Sequence, residues 1–212
     1  MKTISSLALA AALASAAPAA LAQDNVLKVG GTFYQTHSRT DGLSGIGVPA
    51  GADADVGNAT TVIFTYERLF TPNLGVEFVI GIPPTIKAKA TGSVAFLGDD
   101  VLSAKNVAPT LFINYHLFAP TDALRPYLGA GINYTRFTNV KSTLAPDVKM
   151  GSSTGLALQA GLNYAINKDW GLFASIAKLN VKSKVVAAGA TVLTTTVDFR
   201  PIVYSAGVSY QF

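Results

Sequence analysis

Few side chains in this sequence could carry out acid–base or nucleophilic chemistry. The histidines are His37 and His116, and the carboxylates Glu67 and Glu77 flank a Thr-Pro turn. A nucleophile needs a base within hydrogen-bonding distance, and a paired-carboxylate site needs two acids that face each other. Whether any of these residues can meet therefore depends on the elements that carry them.

Acidic loop residues are the candidates for binding a metal ion. Asp53 and Asp55 precede Asn58, and Asp99 is followed by Asp100. Calcium prefers such oxygen ligands, but it needs about six of them at a regular loop spacing. Neither group has that spacing, so we interpret both as solvated loop residues and expect no metal or cofactor.

The last stretch of the chain has the clearest structural pattern. From Ile202 to Phe212, apolar residues alternate with small or polar ones. Because side chains on a strand point alternately to its two faces, this period predicts a β-strand with one apolar face. About 9–11 tilted residues cross a bilayer as a strand, which is the length of this segment.

The opposite end of the chain has the features of a secretory signal peptide. Lys2 is followed by an apolar run that ends in Ala20-Leu21-Ala22, a small-x-small cleavage site. We expect residues 1–22 to be cleaved and residues 23–212 to form one domain. An uncleaved membrane anchor is the alternative, and the small residues at the end of the run argue against it.

Composition limits the partners of the mature chain. Half of the residues are hydrophobic, 13% are charged, and cysteine is absent. The formal net charge of +4 is spread along the chain. Since there is no basic run or basic patch with interleaved aromatics, we expect no nucleic-acid partner.

Seven further segments alternate like the last one, which gives eight predicted strands. Their approximate ranges are 26–36, 61–69, 74–82, 107–117, 126–137, 155–164, 170–179 and 202–212. Short turns join them at one end. We interpret the longer connections, which include 37–58, 83–106 and 182–194, as loops, although Lys87 and Lys89 indicate that one hairpin continues beyond the membrane.

Aromatic residues collect at the short-turn end of these strands, as in an interfacial girdle. They are Tyr66, Phe70, Tyr115, Phe118, Tyr127, Tyr164, Trp170, Tyr210 and Phe212. The face opposite the apolar one is rich in small polar residues and too poor in charge for a soluble sandwich or barrel. The sequence therefore predicts an all-β fold, an eight-stranded antiparallel transmembrane β-barrel with short periplasmic turns and long extracellular loops.

Several segments resemble the OmpW family of small bacterial outer-membrane proteins. They are Pro109-Thr110-Leu111, the run from Arg125 to Thr135, Asn167-Lys168-Asp169-Trp170 and the ending from Val203 to Phe212. The resemblance covers the whole mature chain. It implies a barrel in the outer membrane of a Gram-negative bacterium, with a hydrophobic interior that admits small hydrophobic molecules and releases them sideways through the wall.

The ending also resembles the general assembly signal of outer-membrane barrels. The residues that carry this resemblance are Ser205, Gly207, Tyr210 and Phe212. It implies the barrel-assembly machinery as a partner, besides outer-membrane lipid. Lysines at the predicted outer end could bind lipopolysaccharide phosphates or simply keep the loops soluble. They are Lys87, Lys89, Lys105, Lys141, Lys149, Lys182 and Lys184.

An interior of eight strands is wide enough only for side chains or one small ligand. The candidates for lining a hydrophobic channel are Tyr34, Phe112 and, if the seventh strand has the phase of the family, Phe173, Ala177 and Leu179. The alternative is that these side chains only fill a small barrel. The resemblance implies a bulky aromatic residue at Ala177, so any constriction must be built differently here.

Prolines mark a candidate gap in the wall. Pro83 and Pro84 follow the third strand, and Pro109 lies on the fourth. Proline cannot donate a hydrogen bond to a neighbouring strand, so pairing is weakest where these residues face each other.

The predicted barrel determines whether the histidines and carboxylates can form an active site. His37 falls at the outer end and His116 at the periplasmic end, so we expect no enzymatic activity. Glu67 and Glu77 face inward near the periplasmic end, and an ion cluster is the favoured interpretation over a paired-carboxylate active site. Possible partner cations are Lys28, Arg68 and Arg136.

We therefore predict a monomeric outer-membrane barrel that conducts small hydrophobic molecules passively. The alternative is a structural or surface-interaction barrel with a plugged core and no transport. A lipid-A-directed enzyme is a third and weaker hypothesis.

Overall fold

The computed structural model describes residues 24–40, 42, 45, 48–188 and 192–212. The predicted signal peptide, residues 1–22, lies outside the described residues. The described part of the chain contains no helix that is long and apolar enough to span a membrane.

Within these residues the chain forms fifteen β-strands and one turn of 3-10 helix at Ala95–Leu97. The strands that build the barrel are β1 (Asn25–Gln35), β4 (Ala59–Leu69), β5 (Leu74–Gly81), β8 (Thr110–His116), β9 (Leu124–Ser142), β11 (Ser153–Ala165), β12 (Trp170–Leu179) and β15 (Ile202–Gln211). The remaining strands are β2 (Arg39–Thr40), β3 (Ala52–Val56), β6 (Thr85–Gly92), β7 (Leu102–Val107), β10 (Asp147–Met150), β13 (Lys182–Ala188) and β14 (Val192–Asp198).

The eight barrel strands pair antiparallel in the closed ring β1-β4-β5-β8-β9-β11-β12-β15. The final strand closes the ring against the first, with Val26 opposite Gln211 and Gln35 opposite Ile202. Closure leaves no open sheet edge in the lipid, where unpaired backbone groups would be costly. The predicted eight-stranded fold is confirmed.

Two-residue periodicity decides which side chains face the lipid and which face the interior. In β12, Leu172 and Ile176 are exposed, whereas Phe173, Ala177 and Leu179 are buried. The seventh barrel strand therefore has the phase that the family resemblance implied.

Aromatic residues of the predicted girdle are exposed on the barrel surface, with one exception. The prediction was wrong for Tyr127, which is 2% exposed and points into the barrel. Tyr127 lies on the inward phase of β9, opposite Gly161 of β11. A Cβ at Gly161 would lie 2.3 Å from the Tyr127 ring, so the glycine provides the space that the ring occupies.

The prediction that the long connections are loops was partly wrong. They contain short strands that form two sheets beyond the barrel rim, β3-β6-β7 with the outer part of β9, and β10-β13-β14-β2. Their glycines and prolines predicted loops, but backbone N–H and C=O groups above the membrane still pair with those of neighbouring strands. We call these the first and the second extracellular sheet, because they lie opposite the short turns.

Candidate functional site

A buried ion cluster occupies the periplasmic half of the barrel interior. Nζ of Lys28 donates to Oε2 of Glu67 (3.0 Å) and to Oε1 of Glu77 (2.9 Å), and these three side chains are at most 3% exposed. Glu67 and Glu77 lie directly opposite each other on β4 and β5. Since two carboxylates in that position repel each other, Lys28 holds the pair together.

Amide and imidazole groups complete the ion cluster. Nδ2 of Asn114 donates to both carboxylates at 2.9 Å, and Nε2 of Gln159 donates to Oε2 of Glu77 at 2.7 Å. Nε2 of His116 donates to Oε1 of Glu67 at 2.7 Å. Every oxygen of the two carboxylates thus has a partner, which is the condition for burying charge in a stable protein.

Lys28 is the cation that the cluster contains, among the three candidates in the sequence. Arg68 instead lies 3.9 Å from Asp24 and donates to Oδ1 of Asn25 (2.8 Å), and Arg136 is exposed. The predictions for Arg68 and Arg136 were wrong because both residues lie on the lipid-facing phase of their strands.

Tyr127 and two glycines fit the cluster into the narrow barrel. Nζ of Lys28 lies 4.9 Å from the centroid of the Tyr127 ring, within cation–π range. A Cβ at Gly129 would lie 2.2 Å from Oδ1 of Asn114, and Gly161 makes room for Tyr127. Small residues on one strand therefore accommodate the large polar residues of the next.

A second polar group, around Asn133, is separate from the ion cluster. Nδ2 of Asn133 donates to Oγ1 of Thr110, and Oγ1 of Thr135 donates to Oδ1 of Asn133, both at 2.7 Å. In the described chain no hydrogen bond connects this group to Glu67 or Gln159. The polar plug of the barrel is thus confined to its periplasmic half.

Above the ion cluster lies a small, mostly apolar inner cavity. Glu77 and Gln159 of the cluster contribute to its floor. Its walls include all five predicted lining residues, Tyr34, Phe112, Phe173, Ala177 and Leu179. Their inward position agrees with the prediction, and their contact with a ligand stays a prediction.

A larger outer cavity lies between the two extracellular sheets, and its surface is almost wholly apolar. Residues that line it include Val56, Ile86, Leu102, Met150, Val185 and Phe199. Sequence reasoning missed this cavity, since it assigned these segments to loops. The short alternation Ile86, Ala88, Ala90 was the available signal.

A stacked pair of rings lies between the levels of the two cavities. The Phe137 and Phe199 centroids are 5.2 Å apart with an interplanar angle of 24°. On β9, Phe137 lies between Asn133, at the level of the inner cavity, and Ser142, which lines the outer one. This pair forms an aromatic constriction away from Ala177, and the sequence did not reveal it because Phe199 lies just outside a strand.

Strand pairing is interrupted beside the inner cavity. The β5–β8 ladder ends at Val79 opposite Thr110, and the β6–β7 ladder begins at Thr85 opposite Lys105. Between the two ladders, the backbone N–H of Asn106 on β7 donates to the carbonyl of Pro84, which lies between β5 and β6 (3.0 Å).

The three predicted prolines lie at this interruption. Pro83 and Pro84 connect β5 to β6, and Pro109 directly precedes β8. The prediction that Pro109 is a strand residue was wrong, although its carbonyl accepts a hydrogen bond from Tyr134 (3.0 Å). Since proline has no N–H, the missing pairs have a direct cause in the sequence. That the interruption acts as a lateral gap stays a prediction.

Comparison with known proteins connects this geometry to a family. The OmpW family matches residues 24–212. The chain belongs to the OmpW family. It is 29% identical over 220 residues to outer membrane protein W of Vibrio cholerae serotype O1, covering 100% of this chain and 99% of that protein.

Two further relatives of this OmpW-family protein come from Pseudomonas aeruginosa. The dibenzothiophene metabolism operon protein PahQ is 31% identical over 173 residues, which are 80% of this chain and 79% of that protein. The crystal structure of the outer membrane protein OprG superimposes with a TM-score of 0.82 at 25% identity, covering 90% of this chain and 96% of that one. The OmpW-family chain is therefore a transmembrane β-barrel of the bacterial outer membrane.

The residues of the predicted assembly signal lie on the closing strand of the OmpW-family barrel. Ser205 faces inward and lies 2.8 Å from Oγ1 of Thr32, whereas Tyr210 stacks on Phe212 at the periplasmic rim with centroids 5.9 Å apart. A Cβ at Gly207 would lie 2.1 Å from the carbonyl oxygen of Val29. Recognition of these residues during assembly stays a prediction.

The histidines of this OmpW-family protein are far apart, as predicted. His37 follows β1 at the extracellular end, where its N–H donates to the Phe199 carbonyl, and His116 belongs to the ion cluster at the other end. Asp53 and Asp55 accept hydrogen bonds from Thr40 and Ser38. The two apolar cavities can exclude water and hold an apolar molecule, which are properties of a binding site.

Proposed function

We propose that this OmpW-family barrel is a passive conduit for small hydrophobic molecules, which pass from the extracellular side into the barrel and leave it sideways. The observation that carries the proposal is the ion cluster. It closes the periplasmic end directly below an apolar cavity whose wall is interrupted. An apolar molecule in that cavity has a favourable way out through the wall and none through the charges.

Access begins at the outer cavity. Its almost wholly apolar lining favours molecules that lose little by leaving water. The Phe137–Phe199 pair then separates it from the inner cavity, so a rotation of either ring would have to admit the molecule. We propose Tyr34, Phe112, Phe173, Ala177 and Leu179 as the residues it contacts next.

Exit occurs in this proposal at Pro83, Pro84 and Pro109. Gly81 and Ala108 flank the interruption and also line the inner cavity. The lateral route avoids transferring an apolar solute back into water, because the surface just outside is lipid.

The relatives support a hydrophobic cargo. PahQ carries dibenzothiophene metabolism in its name, and dibenzothiophene is an apolar molecule of three fused rings. We propose the same class, small apolar aromatic compounds, for this chain, with no enzymatic activity of its own.

Uptake of dibenzothiophene by cells with and without the protein tests the proposal, with glycine as a polar control. Because the chain has no cysteine, Gly81→Cys with Ala108→Cys creates a unique thiol pair across the interruption. Linking this pair with a cleavable bifunctional reagent should lower uptake to the level of cells without the protein, and cleavage should restore it.

The matched control links Ala130→Cys to Leu158→Cys, a directly opposed and exposed pair on β9 and β11. This link should leave uptake unchanged. Equal uptake by cells with and without the protein would sink the conduit. Unchanged uptake after linking residues 81 and 108 would sink the lateral exit alone.

The second candidate function is a structural or surface-interaction barrel without transport. The observation that favours it is the ion cluster, which blocks the straight path through the barrel. Under this hypothesis the cavities are unused space, and uptake is independent of the protein.

Assembly and oligomeric state remain proposals of the same kind. We propose that Ser205, Gly207, Tyr210 and Phe212 are read by the barrel-assembly machinery and that the barrel acts as a monomer. Deleting Phe212 should lower the amount of folded protein in the outer membrane, measured by heat-modifiable migration in gels.

A further inference from the structure

The outer face of the first extracellular sheet carries a group of cations, Lys87, Lys105, Arg136 and Lys141, which we call the basic face. All four side chains are exposed. We propose that the basic face binds the phosphate groups of lipopolysaccharide in the outer leaflet. This inference does not depend on the conduit.

Strand register places the four cations on one surface. Lys87 and Lys141 lie on either side of Ser103, and Lys105 lies two residues further along β7, opposite Thr138. With strands ~4.8 Å apart and a rise of ~3.3 Å per residue, the three lysines lie within about 10 Å of one another at their Cα atoms. Arg136 opposes Val107, the next step toward the membrane.

The basic face begins where the lipid-facing surface ends. Large, exposed side chains form that surface, namely Ile82 directly after β5, Leu111 on β8 and Tyr134 on β9. Arg136 follows Tyr134 on the same outward phase of β9. Tyrosine is typical of the membrane interface, so the cations just beyond it lie at the level of the lipid headgroups. Acyl chains of a bound lipid would therefore rest on the apolar surface below.

Charge on the basic face is largely uncompensated. In the described chain Lys105, Arg136 and Lys141 have no ion pair, and Lys87 pairs with Asp100 at 2.5 Å. Acids on this sheet lie farther out, as in the pair of Lys89 with Asp55 (3.8 Å). Uncompensated cations so close together repel one another unless an anion binds between them.

The second extracellular sheet differs in this respect. Lys182 and Arg200 both lie near Asp198, at 3.7 and 2.9 Å, and Lys149 lies 3.9 Å from Asp147. Alternating charges of this kind satisfy each other and keep a surface soluble. The uniform sign of the basic face instead fits a polyanion, and lipopolysaccharide is the polyanionic lipid of the outer leaflet.

Binding of rough lipopolysaccharide to the full-length mature barrel in nanodiscs tests the proposal, with native mass spectrometry as the readout. Each cation near an anionic membrane surface contributes about fivefold to binding, so K105Q/R136Q/K141Q, which removes three cations, should lose roughly a hundredfold. Enzymatically dephosphorylated lipopolysaccharide should bind the unsubstituted protein as weakly as the intact lipid binds this variant.

Two matched variants separate the basic face from general charge and from folding. K149Q/K182Q/K184Q removes the same charge from the second sheet and should bind within about twofold of the unsubstituted protein. K105R/R136K/K141R keeps the charge and should also keep binding. If the first variant does not fold, Lys105→Gln and Lys141→Gln alone should each lose about fivefold.

The proposal is overturned if K105Q/R136Q/K141Q binds like the unsubstituted protein, or if the second-sheet variant loses as much. It is also overturned if phosphatidylglycerol competes as well as lipopolysaccharide, since the basic face would then be selective for no particular lipid.

Discussion

The two halves of the barrel interior are built from the same strands but have opposite polarity. In the periplasmic half, Lys28, Glu67 and Glu77 fill the space with charges that hydrogen-bond to one another and to Asn114. In the extracellular half, residues such as Ala177 and Phe112 leave an apolar cavity. The same narrow barrel thus holds a charged cluster at one end and an apolar cavity at the other.

The two halves should therefore respond differently to the substitution of a single side chain. Buried charges tolerate no missing partner, so the ion cluster should behave as one unit. Apolar side chains around a cavity interact without fixed direction, so single changes there should alter volume more than stability. The predictions below test this contrast, beginning with the largest expected effect.

Lys28→Met should lower the free energy of unfolding by about 3–5 kcal/mol, because it leaves two buried carboxylates without a cation. Urea unfolding in lipid vesicles, followed by the fluorescence of the single tryptophan, Trp170, measures the change. The combination K28M/E67Q/E77Q removes all three charges and should recover most of the loss. A loss below about 1 kcal/mol for Lys28→Met would mean that the ion cluster does not hold this half together.

Gly161→Val should lower the free energy of unfolding by roughly 1–3 kcal/mol, because the new side chain collides with the Tyr127 ring in the ion cluster. The same unfolding assay applies. Gly31→Val is the matched control, since a Cβ at Gly31 has no heavy atom within 4 Å. Equal losses for both variants would show that backbone effects, and not the packed cluster, determine the result.

Phe137→Leu should cost about 1–2 kcal/mol of stability and widen the aromatic constriction between the cavities. Uptake of dibenzothiophene should rise, while uptake of glycine should stay the same. Phe96→Leu, at an exposed phenylalanine of the 3-10 helix, is the control. A fall in dibenzothiophene uptake would indicate that the ring is a binding surface and not a barrier.

Lys89→Ala should change the free energy of unfolding by at most about 1 kcal/mol. Its ion pair with Asp55 (3.8 Å) has both side chains about half exposed, so water and salt screen it. Together with Lys28→Met, this variant compares one kind of ion pair in two environments. A loss as large as that of Lys28→Met would remove the contrast between buried and exposed pairs.

Much of the barrel could be predicted from the sequence. Alternation along β1, β12 and β15 gave the strands and the inward position of Phe173 once the phase was chosen. The error at Tyr127 arose because aromatic residues suit the interface and the interior alike. Its phase on β9, opposite to that of the exposed Leu128, was the signal for the interior, and Gly161 on β11 provides the space for its ring.

The inward position of the candidate lining residues could be predicted one by one, but the arrangement of the cavities could not. All five lining residues were placed inward, yet the outer cavity and the Phe137–Phe199 constriction were not foreseen. The outer cavity is formed largely by segments whose glycines and prolines indicate loops even where backbone pairing makes strands. The constriction joins Phe137 at the end of one predicted strand to Phe199, which lies just outside a strand far along the chain.

The sequence by itself determined which side chains share a face, because alternation along a strand is a local property of the backbone. It also determined that Pro83, Pro84 and Pro109 cannot donate ladder hydrogen bonds. Only the tertiary structure decided that Glu67 lies opposite Glu77 and that Lys28 is their cation. Contacts between distant segments set the register between strands and the closure of the ring. Alternation within one segment does not specify which strand it pairs with or in which register.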